Sequence, residues 1–208
     1  MACIDAQKNH EIALFVNFRW DEPSLSHPLS ITRMQSQAVN KPFLWERVQT
    51  PYLESYKASI IYLKNKYGIE AVVTGDITVD AFHGKWIDKV CKDTGVEVIK
   101  PLWEQNRTKL MKKLLASGLE VILTCVKEPY FTEDWLGRKI DDRCLQDLQA
   151  LHEKNGVDIC GEFGEYHTMV MDAPFFTKTV QISTFKMQKT ENSFIMEPVG
   201  LSLKPKPV

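Results

Sequence analysis

Gly161, Glu162, Gly164, Glu165, Tyr166, His167 and Thr168 crowd into eight consecutive positions. They lie in the run Cys-Gly-Glu-Phe-Gly-Glu-Tyr-His-Thr-Met-Val-Met-Asp-Ala-Pro-Phe-Phe, from Cys160 to Phe176. The two glycines permit positive φ or close approach by a ligand or another backbone. Glu162 and Glu165 put two carboxylates on one short loop, and loops on a rigid scaffold are where binding and catalytic groups concentrate. The plainer reading is a loop whose glycines turn the chain and whose carboxylates are solvated. A second pair, Gly75 and Asp76, follows the apolar stretch Ile69 to Thr74. Ligands of open α/β sheets bind beyond the C-terminal strand ends. There a glycine lets a nucleotide near the backbone, and an aspartate can hold a ribose hydroxyl or a magnesium ion. The plainer reading is again a turn, because Gly-Asp is a common turn pair.

Gly161, Glu162, Gly164, Glu165, Tyr166, Thr168, Asp172 and Pro174 together resemble the signature of the diphthine–ammonia ligase (diphthamide synthase) family. That signature is Gly-Glu-x-Gly-Glu-Tyr-x-Thr, an apolar strand, then Asp-x-Pro, and the resemblance runs from about His10 to Ile182. It implies the fold of the ATP pyrophosphatases in the adenine nucleotide alpha hydrolase-like superfamily. This is an α/β, doubly wound, mainly parallel sheet, here with a C-terminal β-rich appendage. It implies an AMP-forming amide ligase: Mg-ATP adenylates a carboxylate, pyrophosphate leaves and ammonia attacks. In the family's best-known case the acceptor is diphthine on elongation factor 2. On this reading Glu162 and Glu165 are catalytic, and Gly161, Gly164, Tyr166 and Thr168 bind the acceptor. Gly75 and Asp76 hold the nucleotide, facing the loop across the main pocket. Leu136, Gly137 and Asp141 resemble the family's Leu-Gly-x-x-(Ile/Leu)-Asp turn. Lys127, just before it, could neutralise phosphate, although a solvated lysine is the plainer reading.

The chain departs from the family in two places. Where relatives carry Gln-Arg and further arginines, it reads Phe82-His83-Gly84-Lys85-Trp86. The phosphate-binding string Ser-Gly-Gly-Lys-Asp-Ser is absent from the 208 residues, and no Gly-x-x-x-x-Gly-Lys-Ser/Thr replaces it. ATP binding by these residues alone is therefore expected to be feeble. Residues 1–9 read as the back half of the helix that such a loop would open, which places Met1 downstream of the ancestral start. The expected missing part is one strand, the loop and about two helical turns, roughly 15–20 residues at ordinary element lengths. That strand would be central, between Glu11–Phe18 and Ile69–Thr74. Two other readings stand beside the ligase: a non-catalytic binding protein of this descent, and an ATP-dependent transferase with another substrate.

Three single residues carry weaker signals. A catalytic His167 would need an orienting partner. A nucleophilic Cys160 would need a lowered pKa, and a buried inert thiol is the better reading. Trp103 either stacks on an adenine or caps the core. The five cysteines are scattered with no Cys-x-x-Cys, as expected of reduced thiols in the cytosol. Neither they nor the five histidines show a metal-ligand spacing, so no protein metal site is expected. A net charge of −1 argues against a broadly basic nucleic-acid surface. No apolar run is long enough to span a membrane.

The elements that must position these groups follow from hydrophobic periodicity. Residues 1–10 read as helix, Glu11–Phe18 as a buried strand, Ile31–Val39 as helix and Phe43–Val48 as strand. Tyr52–Tyr67 is a helix stopped by Gly68, followed by the strand Ile69–Thr74. Lys85–Asp93 is helix and Val96–Ile99 strand. A helix capped by Asn106 ends at Gly118, and Leu119–Val126 is an apolar strand. Asp141–Asn155 is helix, and Tyr166–Met171 and Thr179–Ile182 are strands of a hairpin. Three segments result: a nucleotide-binding α/β domain at 1–126, an acceptor-side subdomain at 127–197 and a disordered tail at 198–208.

Overall fold

The computed structural model describes residues 1–20, 27–78 and 85–206. In chain order the elements are α1 (Ala2–Ala6), β1 (Phe15–Arg19), α2 (Leu29–Ala38), β2 (Phe43–Arg47), α3 (Tyr52–Tyr67), β3 (Ala71–Val73), α4 (Trp86–Cys91) and β4 (Glu97–Ile99). Then come α5 (Arg107–Ala116), β5 (Glu120–Lys127), α6 (Asp142–Asn155), β6 (Tyr166–Asp172), β7 (Lys178–Lys189) and β8 (Ser193–Pro205). They form two compact units. One is Met1–Pro23 with Lys41–Gln105, the other Ser24–Asn40 with Asn106–Val208.

The first unit is α/β with parallel strands. β1 pairs with β2 from Phe15↔Phe43 to Arg19↔Arg47. β3 pairs with β4 from Ala71↔Glu97 to Val73↔Ile99. These remain two separate two-stranded sheets among the described residues, yet they share one core. Phe18 of β1, Val72 of β3 and Val98 of β4 all pack on the cluster of Val48, Tyr56, Ile60, Val90, Cys91 and Val96. Helix α3 supplies Tyr56 and Ile60 at a spacing that keeps them on one face. It ends where Gly68, at φ 65°, gives its N–H to the Lys64 carbonyl at 2.8 Å. Residues 2–6 are helical, as expected of this end of the chain, and among the described residues no strand pairs with both β1 and β3.

The second unit is built on a four-stranded antiparallel sheet ordered β6-β5-β8-β7. Helix α2 lies against it: Gln35 Nε2 donates to the Val170 carbonyl at 2.7 Å, and Val39 bridges to Phe176. This corrects the expected segmentation in three respects. The apolar strand near residue 120 belongs to this antiparallel sheet, so the division falls between residues 105 and 106 instead of after 126, and residues 24–40 join the second unit. An apolar run buried on both faces reads as a parallel strand, but a covered central antiparallel strand has the same pattern. The expected hairpin of Tyr166–Met171 with Thr179–Ile182 does not form, because β6 pairs with β5 and β7 with β8. Residues 198–205 are not a disordered tail; they are the second half of β8, paired to residues 178–185. Pro198 is tolerated because β5 pairs only with Ser193–Ile195 of β8, leaving the next stretch of that side without a ladder that would need its N–H.

Candidate functional site

The loop that opens β6 is held by two buried carboxylates. Glu165 is 6% exposed. Its Oε1 accepts the Asp158 N–H at 2.9 Å and its Oε2 the Phe163 N–H at 3.1 Å. Asp158 is nearly as buried. Its Oδ1 accepts the Cys160 N–H at 2.7 Å, and Arg107 Nε of α5 donates to its Oδ2 at 3.0 Å. Backbone bonds from Gly161 to the Asp158 carbonyl (2.9 Å) and from Gly164 to the Gly161 carbonyl (3.0 Å) complete two tight turns. Hydrogen bonds to ionised carboxylates are the strong ones, so this loop is held firmly despite its two glycines.

The glycines are there for different reasons. Gly161 has φ 72°, and a Cβ on it would meet the Tyr166 ring at 3.0 Å. Gly164 has φ 76°, and its Cβ would meet the Lys127 ammonium at 3.3 Å. Tyr166 is buried and donates its hydroxyl to the Ile159 carbonyl at 2.6 Å. Burial pushes its pKa well above the usual phenol range, with neighbouring thiols and carboxylates adding to the shift. The ring is thus the floor on which Gly161 lies.

Of the residues singled out in the sequence, Gly161, Glu162, Gly164, Glu165 and Tyr166 therefore stand together, and Thr168 follows on β6 opposite Leu123. Glu162 and Glu165 differ in surroundings. Glu165 uses both oxygens to shape the loop, whereas Glu162 is half-buried beside the exposed Phe163. Lys127, the last residue of β5, is brought to the same loop: its N–H donates to the Glu165 carbonyl at 2.9 Å. His167 packs edge-on against His27 with ring centroids 5.0 Å apart. Burial, then His27 and Lys127, pull its pKa down to about 4, so it is neutral near pH 7. Cys160 is pushed up to about 12, by burial first and then by Asp158, which fits the inert thiol expected. Leu136 and Gly137 abut β5, where Gly137 donates to the Leu123 carbonyl at 2.9 Å. Asp141 caps α6 by accepting the Cys144 N–H at 2.8 Å. Arg107, Asp158 and His27 complete the surroundings of the loop, and no local motif announced them.

Gly75 and Asp76 belong to the first unit, at the C-terminal end of β3. Gly75 is exposed and open space lies where its Cβ would be. The Asp76 N–H donates to Thr74 Oγ1 at 3.1 Å. A hydroxyl, a carboxylate and an exposed backbone suit the ribose of a nucleotide, while nothing in the 208 residues spells the usual triphosphate loop. Trp103 is half-buried and lines an open groove together with Cys91, Val96 and Val98 at the edge of the core, with Lys100 Nζ 4.5 Å from its ring centre. Among the described residues no group of three His, Cys, Asp or Glu could hold a metal ion. The stretch Phe82–Gly84, where the arginines of relatives are lacking, lies outside the described residues.

The residues of this loop fall within the span of a known domain family. Residues 106–197 match the model of the diphthamide synthase C-terminal domain. A diphthine–ammonia ligase of Schizosaccharomyces pombe is 30% identical over 158 residues, covering 75% of this chain and 26% of the relative. The enzyme of the same name from Rattus norvegicus is 27% identical over 162 residues, covering 77% of this chain and 60% of the relative. The chain belongs to the diphthine–ammonia ligase family. It spans at most about 60% of the length of these two relatives. A solved structure, a predicted subunit of tRNA methyltransferase from Methanocaldococcus jannaschii, gives a TM-score of 0.41 at 11% identity, over 82% of this chain and 89% of that one. That likeness is too slight to bear on the fold.

Proposed function

We propose that this chain serves an AMP-forming amide ligation of the diphthine–ammonia type, in which a carboxylate, ATP and ammonia become an amide, AMP and pyrophosphate. The observation that carries the proposal is the stapled loop, which lies inside the residues matching the diphthamide synthase domain. In this reading Glu162 is the carboxylate that meets the acceptor. Glu165 acts on the reaction by shaping the loop that carries Gly161 and Gly164, Tyr166 by supporting Gly161 from beneath, and Thr168 completes the acceptor side. Lys127 offers positive charge where the acceptor carboxylate is activated, the kind of fixed electrostatic aid that lowers such barriers. Gly75 and Asp76 take the nucleoside part of ATP. Magnesium would arrive with the phosphates, as that ion usually does. The acceptor proposed is diphthine on elongation factor 2, in the cytosol. No helix among the described residues is long and apolar enough to cross a membrane.

Acceptor binding is the activity to measure first, because it does not depend on a triphosphate loop. Calorimetry with diphthine-bearing elongation factor 2 should show binding by the chain. Glu162→Gln should weaken it by roughly tenfold, the loss of one charge-assisted contact. A folded chain that ignores the factor would sink the reading. The lack of the Ser-Gly-Gly-Lys-Asp-Ser string favours a second reading, a binding protein without turnover. Acceptor binding with no AMP release would select it.

A further inference from the structure

Beside α4 and β4 the first unit carries an open groove of about 770 Å³ with an apolar floor and a basic rim. Cys91, Val96 and Val98 supply the floor. Lys85, Lys89 and Lys92 fall at i, i+4 and i+7 along α4 and its two caps, so they form one stripe. All three are exposed and make no ion pair among the described residues. Lys100 lines the groove from the end of β4, with its ammonium 4.5 Å from the centre of the Trp103 ring. The one carboxylate in the lining is Asp88, and it is paired with Lys100. This lining is strongly basic in a chain whose net charge is −1.

The same groove borders a strand edge. The Glu97 N–H donates to the Glu70 carbonyl at 2.9 Å, and the Ile99 carbonyl accepts the Thr74 N–H at 3.1 Å. Successive residues of a strand turn their N–H and C=O groups to opposite sides. Those of Val98 therefore point away from β3, to a side on which β4 has no neighbouring strand among the described residues. Exposed lysines are ordinarily just solvated, with their stems laid over apolar surface. Here, however, like charges at i and i+4 work against the helix that carries them, and they meet an open strand edge and an apolar floor in one place.

We propose that this groove binds an extended acidic peptide segment of a partner protein, added as a strand along the outer edge of β4. The Val98 N–H and C=O pair with the segment's backbone. One of its apolar side chains rests on Cys91, Val96 and Val98, and carboxylates to either side meet Lys85, Lys89 and Lys92. Strand addition of this kind takes affinity from the main chain and specificity from alternate side chains. Nucleic acid fits less well, because bases need aromatic faces to stack on, and Lys100 lies over a face of Trp103, the one aromatic ring in the lining. A second copy of this edge would set one lysine stripe against another. The inference concerns the first unit alone and does not rest on the ligase reading.

The test is fluorescence anisotropy on the whole chain with a short labelled peptide that carries a leucine between glutamates at alternate positions. This peptide should bind, and one with lysines in place of the glutamates should bind at least about tenfold more weakly. The double variant Lys89→Glu/Lys92→Glu should weaken the acidic peptide by roughly tenfold or more and strengthen the lysine peptide several-fold. A gain of that kind cannot come from misfolding. N-methylation of the acidic peptide's central amides keeps every charge and removes strand pairing, and it should also cost roughly tenfold or more. The proposal is overturned if the acidic peptide does not bind, if the lysine peptide binds the parent chain as well, or if the charge reversal changes neither affinity. It is also overturned if N-methylation has no effect, since the edge of β4 is then not used, or if an oligonucleotide of equal charge binds better than the peptide.

Discussion

Gly161→Ala and Gly164→Ala make a matched pair, because the two positions share a backbone conformation and differ in what lies beside it. Gly161 has φ 72° and Gly164 φ 76°. An L-residue held there costs about 1–2 kcal/mol at either site. At Gly164 the new methyl would meet only the tip of Lys127 at 3.3 Å, and a lysine ammonium can swing aside at little cost. At Gly161 it would meet three ring atoms of Tyr166 at 3.0–3.1 Å. That ring is 5% exposed and tied by its hydroxyl to Ile159 at 2.6 Å, so it cannot retreat without breaking a buried bond. Overpacking of this kind adds about 1–3 kcal/mol. Gly161→Ala should therefore cost roughly 2–5 kcal/mol and Gly164→Ala about 1–2. Urea denaturation of the three chains, with hydrogen exchange at the Phe163 amide as a local probe, measures both. Equal losses, or a Gly161→Ala chain within about 0.5 kcal/mol of the parent, would refute the idea that Tyr166 is the floor of the loop.

Three further outcomes follow from the same site. Tyr166→Phe removes the donor to Ile159 in a buried place, and a urea titration should show a loss of about 1–2 kcal/mol; no loss would mean that the phenol is not bonded as described. His167 is held neutral, its folded pKa near 4 against the ordinary 6.5, by burial, His27 and Lys127. The unfolded chain takes up a proton first as pH falls, so His167 stabilises the fold above about 6.5 and the contribution is lost toward 4. The effect is about 1–3 kcal/mol after discounting for partial exposure. His27, lowered by burial, pulls the same way. His167→Gln should flatten stability between those pH values, and an unchanged slope would show that the ring is not held neutral. Calorimetry with Mg-ATP should find only feeble binding and no AMP formed by the 208 residues, since several charge-assisted bonds at roughly 1.5–3 kcal/mol each are lacking with the phosphate loop; micromolar affinity would show that another segment replaces it.

The helices were legible because their signals are local. Tyr52–Tyr67 is bounded as its periodicity and Gly68 imply, and Asn106 and Asp141 cap α5 and α6 through their side chains. The loop at 161–168 was legible as a cluster, but the division of labour within it was not. Nothing in the spelling Gly-Glu-Phe-Gly-Glu says that the second glutamate turns inward to two backbone N–H groups. That is decided by Asp158 and by Arg107, which lies 51 residues from it in sequence. His27 meets His167 across still more of the chain. The β8 strand was missed because Pro198 and Pro205 read as breakers; only its partner β7, and the short reach of β5 along it, make a proline acceptable there.

The two parallel pairs of the first unit raise a last prediction. β1 and β3 both send side chains into the Val48–Ile60–Val90 cluster, so both border one core. Each has a strand on one side only among the described residues. Backbone N–H and C=O groups on such edges are satisfied by water or by another strand, and these strands are already half-buried. A parallel strand placed between β1 and β3 would join the pairs into one sheet and add apolar burial worth about 1.5–3 kcal/mol per large side chain. If that strand ran into a Gly-Gly-Lys-Asp turn ahead of α1, its backbone N–H groups would supply the phosphate cradle as well. Joining a short apolar strand and such a turn ahead of Met1 should therefore raise the urea midpoint and the affinity for ATP together. A strand-plus-turn segment that leaves both unchanged would show that the β1 and β3 edges do not accept a common partner. A gain in stability without a gain in ATP affinity would place the strand correctly and refute the cradle.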